Sequence, residues 1–232
     1  MSILECRGLS KNYGSVQALR NIDLSLESGR IVGLVGPNGS GKTTLIKLAQ
    51  HLLTPTSGMI TIDGMLPGPQ TKAFVSYLPD RDFLPQWMNL DQLTAFYHEF
   101  FTDFNPVKSA DMLESLGVTG NMPLGKMSKG TREKVQLIFT MSREARVYLL
   151  DEPIAGVDPA TRDYILRTIL TNYSENALVL ISTHLITDVE PILDEVVFLQ
   201  NGTIALHENA DALRERTGKS IDVYFREVYR CF

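Results

Sequence analysis

The chain has 232 residues, 44% of them apolar and 21% charged, which suits one well-packed domain, or one domain with an inserted lobe, and excludes a disordered segment. A formal net charge of −5 leaves no basic excess to neutralise phosphates, so a general nucleic-acid coat is excluded and no nucleic-acid partner is expected. No run of about 18 uncharged apolar residues occurs and no basic stretch with an apolar core opens the chain, so neither a membrane span nor a secretory leader is expected. From the N-terminus, the runs Ile3-Leu4-Glu5-Cys6 and Ile22-Asp23-Leu24-Ser25-Leu26, with Met59-Ile60-Thr61-Ile62 further on, carry the period-two pattern of antiparallel strands and predict a small β-lobe. Residues 31–35, 147–150 and 177–182 are continuous apolar runs followed by polar residues, the pattern of parallel strands buried on both faces. A helix is predicted over 42–51, directly after the first of these. Helices over 90–101, 106–116 and 131–144, the last with Val135, Ile138 and Phe139 on one side, predict an inserted helical lobe. Residues 196–199 and 203–206 flank Asn201-Gly202, the favoured two-residue type I′ turn, and predict a hairpin. The last twenty-odd residues read as a short tail of mixed charge. Cys6 and Cys231 stand near opposite ends without metal-like spacing, so no disulfide framework or zinc site is expected and a reducing cytoplasm fits.

The chemistry begins at Gly36-Pro37-Asn38-Gly39-Ser40-Gly41-Lys42-Thr43-Thr44, which follows the first buried run and opens the first helix. The spacing GxxxxGK[ST] is that of a phosphate-binding loop. Its glycines let backbone N–H groups curl round phosphate oxygens, Lys42 reaches the β- and γ-phosphates, and the Thr43 hydroxyl faces Mg²⁺. The dipole of the following helix adds to the anion site. A nucleoside triphosphate with Mg²⁺ is therefore the expected ligand.

A second constellation lies at Val147-Tyr148-Leu149-Leu150-Asp151-Glu152-Pro153, which puts two carboxylates at the C-terminal end of a buried strand, the edge where an open α/β sheet collects its ligands. Asp151 is expected to hold Mg²⁺ through water. Glu152, one residue on, is expected to orient and deprotonate the attacking water.

With these motifs in this order, the chain resembles the nucleotide-binding subunits of ATP-binding cassette (ABC) transporters. The resemblance covers residues 1 to about 210. It implies an α/β fold with a RecA-like P-loop NTPase core, an N-terminal antiparallel β-lobe and an inserted α-helical lobe. The β-lobe and core would occupy about 1–79 and 145–210, the helical lobe about 80–144, and the tail 211–232. Lys11-Asn12-Tyr13-Gly14 is similar to the aromatic loop, in which Tyr13 stacks on adenine. Ala155-Gly156-Val157-Asp158 is similar to the D-loop at the dimer interface, and Ser182-Thr183-His184 to the segment of the switch histidine, so His184 is expected to act beside Glu152 at the γ-phosphate.

Two segments depart from the family pattern. Met127-Ser128-Lys129-Gly130-Thr131 stands in the place of the signature LSGGQ. Ser128 can still cap the following helix and offer a hydroxyl to phosphate, and Gly130 still permits close approach. Lys129 brings a cation where the family has glycine, and Thr131 replaces the glutamine. The resemblance implies that this segment acts in trans, on ATP held by a second ABC ATPase subunit. Val75-Ser76-Tyr77-Leu78-Pro79-Asp80 is similar to the Q-loop with Asp80 in place of glutamine, a carboxylate that accepts from metal-bound water but cannot donate. The run Phe83, Leu84, Pro85, Trp87 and Met88 that follows reads either as core of the helical lobe or as a groove for a helix of a membrane subunit.

The resemblance thus implies an ATPase that hydrolyses ATP to power substrate movement through separate transmembrane permease subunits, in a homodimer or heterodimer on the cytoplasmic face of the cell membrane. The variant motifs are similar to bacterial export-type (ABC-2) subunits. A soluble cassette ATPase acting on ribosomes or DNA is the rival reading. It ordinarily needs two cassettes in one chain or a long coiled-coil insertion, and neither is present. A P-loop kinase or GTPase would need neither Tyr13 nor His184, and no Asn-Lys-x-Asp guanine reader occurs.

Overall fold

The computed structural model describes residues 2–118 and 122–230; Cys231 lies outside them. The first part of the chain forms β1 (Ser2–Tyr13), β2 (Val16–Glu27), β3 (Arg30–Val35), α1 (Lys42–Ala49), β4 (Ser57–Ile62), α2 (Pro69–Lys72) and β5 (Val75–Leu78). Three helices follow, α3 (Leu90–Phe100), α4 (Pro106–Ser115) and α5 (Lys129–Met141). The remainder is β6 (Val147–Asp151), α6 (Pro159–Asn172), β7 (Leu178–Thr183), α7 (Ile186–Val189), β8 (Glu195–Gln200), β9 (Thr203–Asn209), α8 (Ala210–Thr217) and α9 (Ile221–Arg230).

The expected β-lobe is a three-stranded sheet in the order β2-β1-β4, antiparallel throughout. The main sheet has six strands in the order β5-β6-β7-β3-β8-β9, parallel as far as β8, with β9 antiparallel on the edge. Its central strands are apolar on both faces because both are covered. Val32, Leu34, Leu149 and Leu180 join Leu4, Leu24 and Leu45 on the side of the β-lobe and α1. Ile31, Val35, Leu150 and Ile181 join Phe139, Ile165 and Ile221 on the other. That double covering is what makes residues 31–35, 147–150 and 177–182 unbroken apolar runs.

Several elements differ from the sequence expectation for local reasons. Helix α5 starts at Lys129 because Ser128 is its N-cap, accepting from the Thr131 amide at 3.1 Å, and it stops at Met141, short of the expected 144. There Ser142 folds its hydroxyl back onto Ile138 O at 2.7 Å. Strand β5 was not expected from the pattern of Val75–Leu78, whose Ser76 is buried and donates to Thr140 O at 2.8 Å. Most of the segment read as a tail is helical, in α8 and α9, and Ile221 at the head of α9 is fully buried. Of the run 83–88, Leu84 and Met88 belong to the core, while Phe83 is exposed at 38% and Trp87 at 69%.

The helical block is locked to the sheet by one buried guanidinium. Arg143 pairs with Asp103 at 2.8 and 2.9 Å, donates to Val75 O, Lys72 O and Ala73 O at 2.8–3.1 Å, and lies 4.1 Å from the centroid of the Phe101 ring. Removing one member of a buried pair strands the other charge, at a cost of about 3–5 kcal/mol. Arg143→Met should therefore lower the unfolding free energy by about that amount, read from the denaturant midpoint. An unchanged midpoint would show that the aromatic cluster of Tyr97, Phe104 and Phe139 holds the block alone.

Candidate active site

The phosphate-loop sequence spans the gap between β3 and α1 and is pressed against its neighbours so closely that two of its positions admit glycine only. A Cβ on Gly36 would lie 2.3 Å from Leu199 O, and one on Gly41, whose φ is +112°, would lie 2.6 Å from Ala18 O. Lys42 is buried, and its Nζ donates to Gly36 O at 2.8 Å and Pro37 O at 3.3 Å, so the side chain folds back over its own loop. Thr43, next in α1, donates its hydroxyl to Asp151 Oδ1 at 3.1 Å.

Asp151 ends β6 with no exposure. Ser182 of β7, its register partner across the sheet, donates to the same Oδ1 at 2.6 Å, whereas Oδ2 is buried with no hydrogen-bond partner among the described residues. Burial pushes the pKa of Asp151 up. The Ser182 and Thr43 hydroxyls pull it down, and the charges of Asp80 and Glu152 push it up again. An oxygen-only donor set with one carboxylate oxygen unpartnered suits a hard divalent cation that shares its site with phosphate oxygens. Among the described residues no group of three His, Cys, Asp or Glu side chains could hold a metal by itself.

The chain turns at Glu152 with φ +51°, a left-handed conformation that costs a non-glycine residue roughly 1–2 kcal/mol. The turn carries the carboxylate back over the loop. Its Oε1 lies 3.3 Å from Lys42 Nζ and its Oε2 lies 2.9 Å from His184 Nδ1. The result is a cleft of about 350 Å³ lined by Asn38, Gly39, Gly41, Lys42, Thr43 and Thr44 together with Asp80, Glu152 and His184. Elements far apart in sequence are thus gathered on one sheet edge.

Other expected site residues lie elsewhere. Tyr13 ends β1 beside the turn to β2, half exposed, with Lys11 Nζ 5.4 Å from its ring centroid. Ser128 and Gly130 open α5 and do not line the phosphate cleft. Lys129, 74% exposed, is 3.6 Å from Glu133 and lines a neighbouring cleft of about 240 Å³ with Asp80 and Glu152. Asp158 caps α6 through the Thr161 amide and hydroxyl at 3.0 and 2.7 Å, and these bonds hold its carboxyl below the usual range.

Residues 19–155, more than half of the chain, match the ABC transporter family model. The chain belongs to the ABC transporter family. It is 31% identical over 232 residues to the ABC transporter ATP-binding protein YdbJ of Bacillus subtilis (strain 168), with 94% of this chain and 73% of that one covered. It is 28% identical over 214 residues to the SkfA peptide export ATP-binding protein SkfE of the same organism, with 88% of each chain covered. A solved structure of the ATP binding subunit of an ABC transporter superposes with a TM-score of 0.87 and 26% identity, over 98% of this chain and 100% of that one. The chain is an ABC transporter ATP-binding subunit, an ATPase of the family that hydrolyses ATP to power transport.

Within this cassette, the sequence assigns no role to Ser182, which holds Asp151, or to Ala18, which lines the cleft. Ser182 is a polar residue closing an apolar run directly before Thr183-His184, a signal visible in the sequence; besides Asp151 it receives the Glu152 amide, at 3.0 Å to its backbone oxygen and 3.0 Å to its hydroxyl. Ala18 lines the cleft from β2 and carries no sequence signal.

The raised pKa of Asp151 has a stability consequence of definite sign. Folding disfavours its charged form, so the carboxylate costs stability above its folded pKa and the cost fades as pH falls through that value towards the ordinary carboxylate range. Asp151→Asn should raise Tm near about pH 8, and its advantage should shrink on acidification. Thermal unfolding across pH checks this; a Tm lowered at every pH would mean that the Ser182 and Thr43 bonds to the charged group outweigh its burial.

Proposed function

We propose that this cassette binds MgATP in the cleft over the phosphate loop, and that Glu152 is the general base of hydrolysis. The observation that carries the reading is the suspension of Glu152 between Lys42 Nζ at 3.3 Å and His184 Nδ1 at 2.9 Å, over the loop. The backbone N–H groups of residues 38–44 and the ammonium of Lys42 receive the β- and γ-phosphates. Thr43 and Asp151, with Asp80 at the rim, would hold Mg²⁺, which would supply charge neutralisation at the phosphate oxygens. Glu152 takes a proton from the attacking water, while His184 fixes Oε2 through Nδ1 and leaves Nε2 to meet the γ-phosphate. Glu152→Gln keeps shape and ATP affinity but removes the base, so turnover should fall by about 10²–10⁴-fold. Phosphate release and nucleotide binding measured on one preparation check it; turnover near the unaltered rate would remove Glu152 from the role.

The cassette acts, in this reading, as one of two ABC ATPase subunits closing head to tail around two ATP molecules. Ser128, Lys129 and Gly130 serve the partner's ATP, and Asp158 orders the D-loop between them. Two observations support a function in trans: Ser128 and Gly130 do not line their own chain's cleft, and a Cβ on Gly130 would meet nothing within 4 Å. ATP drives closure because it binds the closed pair more tightly than the separate subunits. Tyr13, exposed beside the β1–β2 turn, is placed for adenine stacking, an interaction worth roughly 1–3 kcal/mol. Tyr13→Ala should weaken ATP binding by about 5- to 150-fold with little change in kcat, and an unchanged Kd by calorimetry would leave Tyr13 as surface only.

Transmembrane permease subunits are the second class of partner. A cleft of about 360 Å³ opens between the sheet and the helical block, with Leu52, Tyr77, Phe83 and Phe101 as apolar walls and Lys47, Lys72 and Arg81 at its rim, and it suits an amphipathic helix of such a subunit. No helix among the described residues is long and apolar enough to cross a membrane. Docked on such a subunit, the cassette would lie on the cytoplasmic face of the membrane. Export is the favoured direction, since SkfE is named for peptide export.

A further inference from the structure

Helix α9 lies outside the residues matched by the family model, 19–155, yet both of its ends are fastened to elements that carry the ATP site. At its head, Glu190 accepts from the Ile221 amide at 2.8 Å and the Asp222 amide at 3.4 Å, and Arg214 donates to the same carboxylate at 3.2 Å. Glu190 directly follows α7, the short helix that begins two residues after His184. At the far end, Tyr229 Oη donates to Leu199 O at 2.9 Å. Between these anchors Tyr224, Phe225 and Tyr229 surround the Phe198 ring of β8, with centroids 6.2, 5.2 and 6.4 Å away.

Leu199 is one of the residues against which the phosphate loop is seated. Its carbonyl oxygen is the atom that excludes a Cβ at Gly36, and its Cδ2 lies 3.4 Å from the Cβ position of Gly41. Gly36 O in turn accepts from Lys42 Nζ at 2.8 Å. The β8–β9 ladder shifts register between Phe198 and Leu199, so regular pairing does not by itself fix the direction of the Leu199 carbonyl. The Tyr229 hydroxyl adds a hydrogen bond to Leu199 O at that irregular point, beside the closely seated Gly36.

We propose that α9 is a brace holding the phosphate loop in register with the His184 segment, with Tyr229 and Glu190 as positioning residues for ATP binding. The proposal rests on the reading of the cleft as the ATP site. By linkage, whatever α9 contributes to ATP binding, ATP must return to the docking of α9.

Hydrogen exchange on the full chain, with and without a non-hydrolysable ATP analogue and Mg²⁺, tests it. Amides of 36–44 and of 222–229 should both slow at saturation, the latter by about threefold or more, although no nucleotide touches them. Tyr229→Phe keeps the ring on Phe198 and removes one hydrogen bond; it should raise KM for ATP by about three- to tenfold with kcat within about twofold, and should abolish the nucleotide dependence of exchange in α9. A helix with a merely structural role would lose stability in Tyr229→Phe and move neither quantity. Slowing of 36–44 with α9 unchanged, or an unchanged KM in Tyr229→Phe, overturns the brace. Failure of 36–44 to slow overturns instead the ATP-site reading beneath it.

Discussion

A carboxylate buried at the end of a strand that has no solvent on either face is the constraint around which this molecule is arranged. Asp151 is tolerated there because β6 and β7 are in a register that sets Ser182 beside it, and because α1 brings Thr43 to the same oxygen. Both hydroxyls serve Oδ1, and the second oxygen is left over. Burying a charge so incompletely satisfied is expensive, and a fold retains such an expense where it does chemistry. The same turn of chain sends Glu152 into left-handed backbone, so strain and desolvation are concentrated within two adjacent residues.

Much of this was legible in the residues, and the reason is that phosphate chemistry restricts side chains severely. A loop that packs Gly36 against Leu199 O and Gly41 against Ala18 O has no alternative to glycine there, so the spacing is plain in the residues. The buried strands were equally plain, since a sheet covered on both faces demands unbroken apolar runs such as 147–150 and 177–182. The strand end followed by Asp151-Glu152 and the strand end followed by His184 are neighbours in the sheet, and their convergence on Lys42 follows from that order.

Where the reading fell short, tertiary contacts decided what local pattern could not. Strand β5 has four residues, with polar Ser76 facing inward; only its bond to Thr140 O gives that hydroxyl a place, and nothing nearby in sequence announces it. Helices α8 and α9 are rich in charge, and periodicity alone reads them as a solvated tail. Their partners are remote: Ile221 and Phe225 find Glu190 and Phe198, about thirty positions earlier. Lys129 shows the opposite limit. Its identity is plain in the sequence, but its ammonium is mostly exposed, paired among the described residues with Glu133 and about 4 Å from a Cβ at Gly156, so packing within the chain assigns it no role.

The division of labour between loop and surroundings has a mechanical basis. A phosphate loop gains affinity from amides that are already aimed, and aiming is a matter of what lies behind them rather than of the loop residues themselves. Behind this one lie Ala18 and Leu199, from strands on two different sheets, and the amide of Gly202, which donates to Ser40 O at 3.0 Å while its own carbonyl accepts from Arg20 at 2.7 Å. The Asn201-Gly202 turn, legible only as a hairpin, is therefore also the point where the β-lobe, the loop and the edge of the main sheet are joined. Close backbone contacts at that joint favour a cradle already aimed at phosphate, so that less binding energy goes into ordering the loop.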